Sequence, residues 1–157
     1  MMTITYPVHN GIYVNVTNRC PCACTFCLRQ NGESVYGSDS LWLEREPTVK
    51  EVCDSIDTWD LNKYNEVVFC GYGEPTERLD DLLEVAKYIK SKSDIKIRIN
   101  TNGLADLIWN EPTAPKLQGL IDTVSISLNA TNKEEYLKIV RPKFGIESYE
   151  AMLKFTK

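Results

Sequence analysis

The sequence predicts an α/β protein in which parallel strands carry outer helices. Strand-like and helix-like segments alternate along its 157 residues, which indicates βα units. Three of the four strand segments are polar on one parity and apolar on the other, while Val67, Val68 and Phe69 of the second are apolar in both directions. Each also ends in a short run rich in Cys, Gly, Asn or Ser, and ligands of α/β sheets gather at the C-terminal ends of strands.

Tyr13 to Thr17 reads as the first strand and leads into a cysteine-rich loop. A polar stretch, Asn31 to Pro47, follows it; with Tyr36 and Trp42, this stretch is a candidate cover for the strand ends. Thr48 and Glu51 form a capping box that opens a helix. Glu66 to Cys70 is the second strand and runs into Gly71-Tyr72-Gly73-Glu74-Pro75. The next helix places Leu79, Leu82, Leu83, Ala86 and Ile89 on one apolar stripe. Ile95 to Asn100 is the third strand, and the helix from Leu104 to Leu120 is broken near Pro112 and Pro115. Thr123 to Asn129 is the fourth strand. Thr131 and Glu134 form a second capping box before a helix through Val140, and Ser148 onward is helical.

Side chains of a strand alternate between faces. Asn15 and Thr17, Lys96 through Asn102 at every second position, and Ser125, Ser127 and Asn129 share the polar parity. Val14 and Val16, Ile95, Ile97 and Ile99, and Val124, Ile126 and Leu128 share the apolar one, which is expected to meet the helices. The polar set then faces a common lumen that expects water or a polar ligand, because buried polar groups need partners. A solvent-exposed sheet face is the alternative.

A hydrophobic fraction of 43% supports one packed core, so residues 1–157 read as a single domain. No stretch approaches the roughly 20 apolar residues of a membrane span. The N-terminus carries no secretory pattern, and the reading is cytoplasmic. Net charge of −4 without a basic stripe argues against nucleic acid as a partner.

Four of the six cysteines crowd between Cys20 and Cys27. Cys20, Cys24 and Cys27 stand as C-x-x-x-C-x-x-C, three thiolates from one loop, a donor set that selects iron–sulfur clusters or zinc. A cubane cluster normally takes four cysteines, so three leave one iron open to a small molecule. Cys22 is a spacer in this reading; in the alternative it joins the others around zinc, although structural zinc prefers two separated ligand pairs. A disulfide framework fits poorly with so many periodic segments. Cys53 and Cys70 read as core residues, and His9, the single histidine, has no assigned role. Gly71 and Gly73 allow close backbone approach to a ligand, with an ordinary Gly-Pro turn as the alternative.

The cysteine loop, with Phe26 just before its last cysteine, resembles the cluster motif of the radical S-adenosylmethionine (radical SAM) superfamily. Gly71-Tyr72-Gly73-Glu74-Pro75, Asn100-Thr101-Asn102-Gly103 and Ser125-Ile126-Ser127-Leu128-Asn129 match that family in the same order, from about Tyr13 to Gly145. Thr17-Asn18-Arg19-Cys20, Gly71 through Thr76 and Arg141 through Gly145 are most similar to its small TatD-associated group. The resemblance implies a partial (β/α) barrel of six units, here truncated after four. It implies a [4Fe-4S] cluster on Cys20, Cys24 and Cys27, whose open iron chelates S-adenosylmethionine. One electron, from a donor such as flavodoxin or ferredoxin, then releases a 5′-deoxyadenosyl radical that abstracts hydrogen from a substrate the sequence does not name. By the same resemblance Phe26 shields the cluster, with plain core packing as the alternative. Gly71, Tyr72, Gly73 and Glu74 meet the methionyl ammonium, while Asn102, Ser127 and Asn129 contact the ribose or carboxylate. Arg141 is a further carboxylate candidate, set against an exposed helix-end arginine. A zinc or iron–sulfur structural or redox-sensing module without this chemistry is the rival reading.

Overall fold

A computed structural model of the chain describes residues 2–27 and 40–157. The candidate cover from Asn31 to Asp39, including Tyr36, lies outside the described residues. Five strands form one sheet in sequence order: β1 (Thr5–Val8), β2 (Gly11–Val14), β3 (Glu66–Phe69), β4 (Lys96–Thr101) and β5 (Thr123–Ile126). Strands β2 to β5 run parallel, with Val14, Phe69, Ile99 and Val124 in register. The sheet is not closed: β1 and β5 are its two edges. Six α-helices are described, α1 (Val49–Ile56), α2 (Leu79–Lys92), α3 (Ala105–Trp109), α4 (Ala114–Leu117), α5 (Lys133–Val140) and α6 (Ser148–Thr156). No helix among the described residues is long and apolar enough to cross a membrane.

The expected parallel sheet with outer helices is what forms. Val14, Val67, Phe69, Ile97 and Ile99 are buried against Val52 and Ile56 of α1 and Leu82, Ala86 and Ile89 of α2. Full burial of each such aliphatic side chain stabilises by about 1.5–3 kcal/mol. Cys53 sits in this core, as a small hydrophobe. The Thr48–Glu51 capping box opens α1 with both of its hydrogen bonds present. The break near the two prolines is also present, and Asp106 spans it by accepting from the Thr113 amide and hydroxyl at 2.8 and 2.6 Å.

Four expectations need correction. An antiparallel strand, β1, precedes the parallel set, joined to β2 by the two-residue turn His9–Asn10. That pairing draws the first strand back to Gly11–Val14, so Asn15 to Thr17 are the approach to the cysteine loop. The fourth strand ends at Ile126, and Leu128, 46% exposed, does not meet the helices. The cap of α5 is Asn132, whose side chain accepts from the Glu135 amide at 2.9 Å, one residue later than the Thr131–Glu134 box.

The lumen face is divided. On the β1–β2 side, Tyr6, Val8, Leu41 and Tyr72 pack together against Tyr13 and exclude water. Further along, Arg98 reaches across it: it pairs with Glu66 at 2.8 Å and donates to Ser125 and to the Tyr13 hydroxyl at 3.4 Å.

Candidate metal and cofactor site

The chain after β2 is held by the turn after β3. The Glu74 amide donates to the Arg19 carbonyl at 2.7 Å. A Cβ on Gly73 would stand 2.1 Å from the Thr17 carbonyl oxygen and 2.8 Å from that of Arg19, so only glycine admits this contact. Gly71 is equally restricted: a Cβ there would meet Asn15 Oδ1 at 2.2 Å. Two of the predicted motifs are thereby pressed backbone to backbone.

Glu74 joins the third. It is buried, and its carboxylate accepts from the Thr76 hydroxyl at 2.7 Å, the Thr101 hydroxyl at 2.5 Å and the Asn102 amide at 2.9 Å. Burial pushes its carboxyl above the usual range, against the pull of these donors. The side chain faces the protein's own amides and hydroxyls, so it acts here as a tie between β3 and β4. Tyr72 is buried and lies edge-on to Trp42 with ring centroids 5.1 Å apart. Trp42 belongs to a strap that Asn18 holds like a strand, its amide donating to Leu43 O at 2.8 Å and accepting from Leu43 N at 3.0 Å. Glu46 ends the strap and takes hydrogen bonds from Thr17 and Arg19 at 2.7 and 2.6 Å.

The cysteine loop closes against the C-terminus of α5. Ala23 and Thr25 amides donate to the Val140 and Ile139 carbonyls at 3.0 and 2.9 Å, and Lys143 N donates to Pro21 O at 2.7 Å. These amides satisfy helix-end carbonyls that would otherwise lack partners. Arg141 is the helix C-cap in the left-handed region, φ 50°.

All the described cysteines are free thiols. Cys22 is buried in the cluster that Cys20 and Cys24 pack against, and the three thiols shift one another, Cys20 and Cys24 downward toward thiolate and Cys22 upward. Asn102 points its amide nitrogen at the same sulfurs, 3.6 Å from Cys22 Sγ and 3.9 Å from Cys20 Sγ. Its Oδ1 accepts from the Leu104 amide, so this orientation is locked. The Cys27 amide donates to Cys24 O at 3.2 Å.

Phe26 is 52% exposed, which removes core packing as its role. Ser127 is exposed, its amide donating to the Thr101 carbonyl at 3.0 Å. Asn129 follows it with φ 65°. Both stand after β5, beside the strand that carries Asn102. Cys70 follows β3, its amide donating to the Val14 carbonyl at 3.0 Å, and burial pushes its thiol up.

Among the described residues no three Cys, His, Asp or Glu side chains stand close enough together to hold a single metal ion, Cys20, Cys24 and Cys27 included. A cubane asks for something different, one thiolate at each of several corners. Three observations fit that group: free thiols on a pinned loop, an amide donor aimed at sulfur, and a buried tyrosine hydroxyl with no partner beside them. That tyrosine, Tyr136, escaped sequence reasoning because a lone aromatic on a helix stripe reads as core. Thr101 and Asn18 were missed likewise, since nothing local marks their partners.

Comparison with known proteins places these contacts in a family. The family model described as Radical SAM superfamily matches residues 14–157. A GTP 3′,8-cyclase of Lactiplantibacillus plantarum is 27% identical over 135 residues, covering 85% of this chain and 38% of that protein. Molybdenum cofactor biosynthesis protein 1 of Drosophila melanogaster is 25% identical over 136 residues, covering 86% of this chain and 22% of that protein. The chain thus spans well under half the length of these curated relatives.

Proposed function

Because the chain belongs to the radical SAM superfamily, we propose that it is an enzyme holding one [4Fe-4S] cluster on Cys20, Cys24 and Cys27 and binding S-adenosylmethionine beside the Gly71–Glu74 turn. The observation that carries this reading is the backbone contact of Gly73 with Thr17 and Arg19, which sets the turn against the root of the cysteine loop. A cluster held by Cys20, Cys24 and Cys27 would supply one-electron reducing chemistry, enough for reductive cleavage of S-adenosylmethionine. The chain's own residues orient and shield. Glu74 and Thr101 fix the turn to β4, so the carbonyls of the turn are the groups left to accept from a methionyl ammonium. Asn102 serves the sulfurs, and Ser127 and Asn129 are the contacts proposed for ribose or carboxylate. Phe26, exposed at the loop, covers the cluster only once a ligand or further chain lies over it.

Residues 1–157 are proposed as one core domain of a larger barrel, working in the cytoplasm with a flavodoxin- or ferredoxin-like donor and without nucleic acid. The relatives named above are a GTP 3′,8-cyclase and a molybdenum cofactor biosynthesis protein, so a purine nucleoside triphosphate is the first substrate to test. The finer likeness to the TatD-associated group rests on the three quoted segments alone.

Anaerobic reconstitution with iron and sulfide, then dithionite and S-adenosylmethionine, should yield 5′-deoxyadenosine, and Cys24→Ala should abolish it. A rise in product on adding GTP identifies the substrate class. The crowding of Cys20, Cys22 and Cys24 at one buried cluster supports one second reading, a zinc-thiolate module. Stoichiometric zinc in a colourless protein, with no 5′-deoxyadenosine after reconstitution, would favour it.

A further inference from the structure

Four buried side-chain atoms among the described residues have no hydrogen-bond partner: Asn15 Oδ1, Asn100 Oδ1, Ser148 Oγ and the Tyr136 hydroxyl. The last differs from the rest in size and placement. Tyr136 is wholly buried in the middle of α5, packed with Cys22, Leu104, Val140 and Met152, and Cys20 and Cys24 lie against the same cluster. Its ring is set 5.3 Å from that of Tyr149. A buried hydroxyl without a partner is destabilising, and phenylalanine would fill the same space without that cost. An ordinary phenol titrates at about 10, so this hydroxyl is an O–H donor throughout the working range, and the cluster that buries it is the one Cys20, Cys22 and Cys24 share. Sulfur accepts weakly as a thiol and well once it carries negative charge, as in a thiolate or a cluster sulfide.

We propose that Tyr136 is a positioning residue whose phenol donates a hydrogen bond to a sulfur of the metal–sulfur group held by the cysteine loop, raising that group's reduction potential. The inference rests on the reading that Cys20, Cys24 and Cys27 hold such a group. Hydrogen bonds to cluster sulfurs are one of the levers that set the potential, because they stabilise the electron-rich reduced form. Asn102 approaches the same sulfurs from the C-terminal end of β4, so the loop is flanked by an N–H donor from the sheet and an O–H donor from a helix. Tyr149, whose hydroxyl donates to the Thr131 carbonyl at 3.3 Å, supplies the control.

The test reconstitutes the full chain anaerobically as wild type, Tyr136→Phe and Tyr149→Phe. Iron and sulfide content, the spectrum of the reduced state and the midpoint potential are then measured. Tyr136→Phe is expected to shift the reduction equilibrium roughly tenfold toward the oxidised form, about 59 mV for one electron, with Tyr149→Phe unmoved. Before loading, Tyr136→Phe should unfold at the same temperature as wild type or higher, since it removes an unpartnered hydroxyl. A folded Tyr136→Phe chain that loads less iron than Tyr149→Phe also supports the contact. An unchanged potential in the loaded variant overturns it, and so does an equal shift in Tyr149→Phe. A Tyr136→Phe chain that is destabilised or unfolded before loading would show the hydroxyl to be structural, which overturns it too. Wild type that takes no iron–sulfur group refutes the cluster reading itself; wild type that loads normally beside an unshifted variant refutes only the role of Tyr136.

Discussion

Glu74 shows how one residue can serve two strands at once. It lies in the turn after β3, yet its carboxylate is held by Thr101 and Asn102 at the end of β4. Burial raises its carboxyl above the ordinary glutamate value of about 4.3. The folded chain therefore keeps this proton to higher pH than the unfolded chain does. Stability from the protonated group is fully present below the ordinary value and is lost as pH rises through the elevated folded one. Glu74→Gln cannot ionise. Urea unfolding of both chains should thus show the wild type losing stability relative to the variant as pH climbs from about 4 toward neutrality. Glu46, Glu51, Asp57 and Asp122 are shifted the opposite way, but both chains share them and they cancel in the difference. A difference that stays flat with pH would refute the buried-acid account.

Helix α5 acts through its two ends and one face. Asn132 caps its start, and the amides of Ala23 and Thr25 cap its finish, so folding of the cysteine loop and of this helix are coupled. Arg141 ends the helix with φ 50°, a conformation that costs a side-chain-bearing residue about 1 kcal/mol more than glycine. Arg141→Gly should accordingly leave stability unchanged or raise it by up to about 1 kcal/mol in denaturant titration. If arginine instead grips the S-adenosylmethionine carboxylate, the same variant will bind that ligand more weakly at unaltered stability. The two measurements separate a cap from a ligand contact. The hairpin β1–β2 illustrates the converse at this scale, since its central residues are His9, at φ 50°, and Asn10, with no glycine at either position to mark the turn.

Across the whole molecule, Arg98 is the group that ties the parallel strands together on the lumen face. It stands on β4 and touches Glu66 on β3, Ser125 on β5 and Tyr13 on β2. The Arg98–Glu66 pair is 24% and 35% exposed, so water screens it in part. Arg98→Met is expected to cost about 1–2 kcal/mol in urea unfolding, chiefly by leaving Glu66 without its donor in a half-buried place. Loss of well under 0.5 kcal/mol would mean that the sheet holds its register through the helix-facing core alone.

What was legible in the chain followed from local rules. A short apolar run, a period-two strand, a helical stripe and the Thr48–Glu51 box are each written over a few residues, and they emerged as β3, β4, α2 and α1. The three-cysteine spacing and the glycine turn were legible for the same reason, since their chemistry depends on residue type within one loop. The exposure of Phe26 follows from the fold around its loop, whereas the β1–β2 hairpin and the cap at Asn132 are themselves local, each one of two choices that the residue pattern leaves open. By itself the sequence determined the βα order and the sulfur donors, because both are properties of neighbours in the chain. Only the tertiary structure decided that Glu74 would clasp β4, that Asn102 would face sulfur and that a tyrosine hydroxyl would be buried beside it. Those contacts join residues dozens of positions apart, and no local pattern encodes which surfaces a folded chain will bring together.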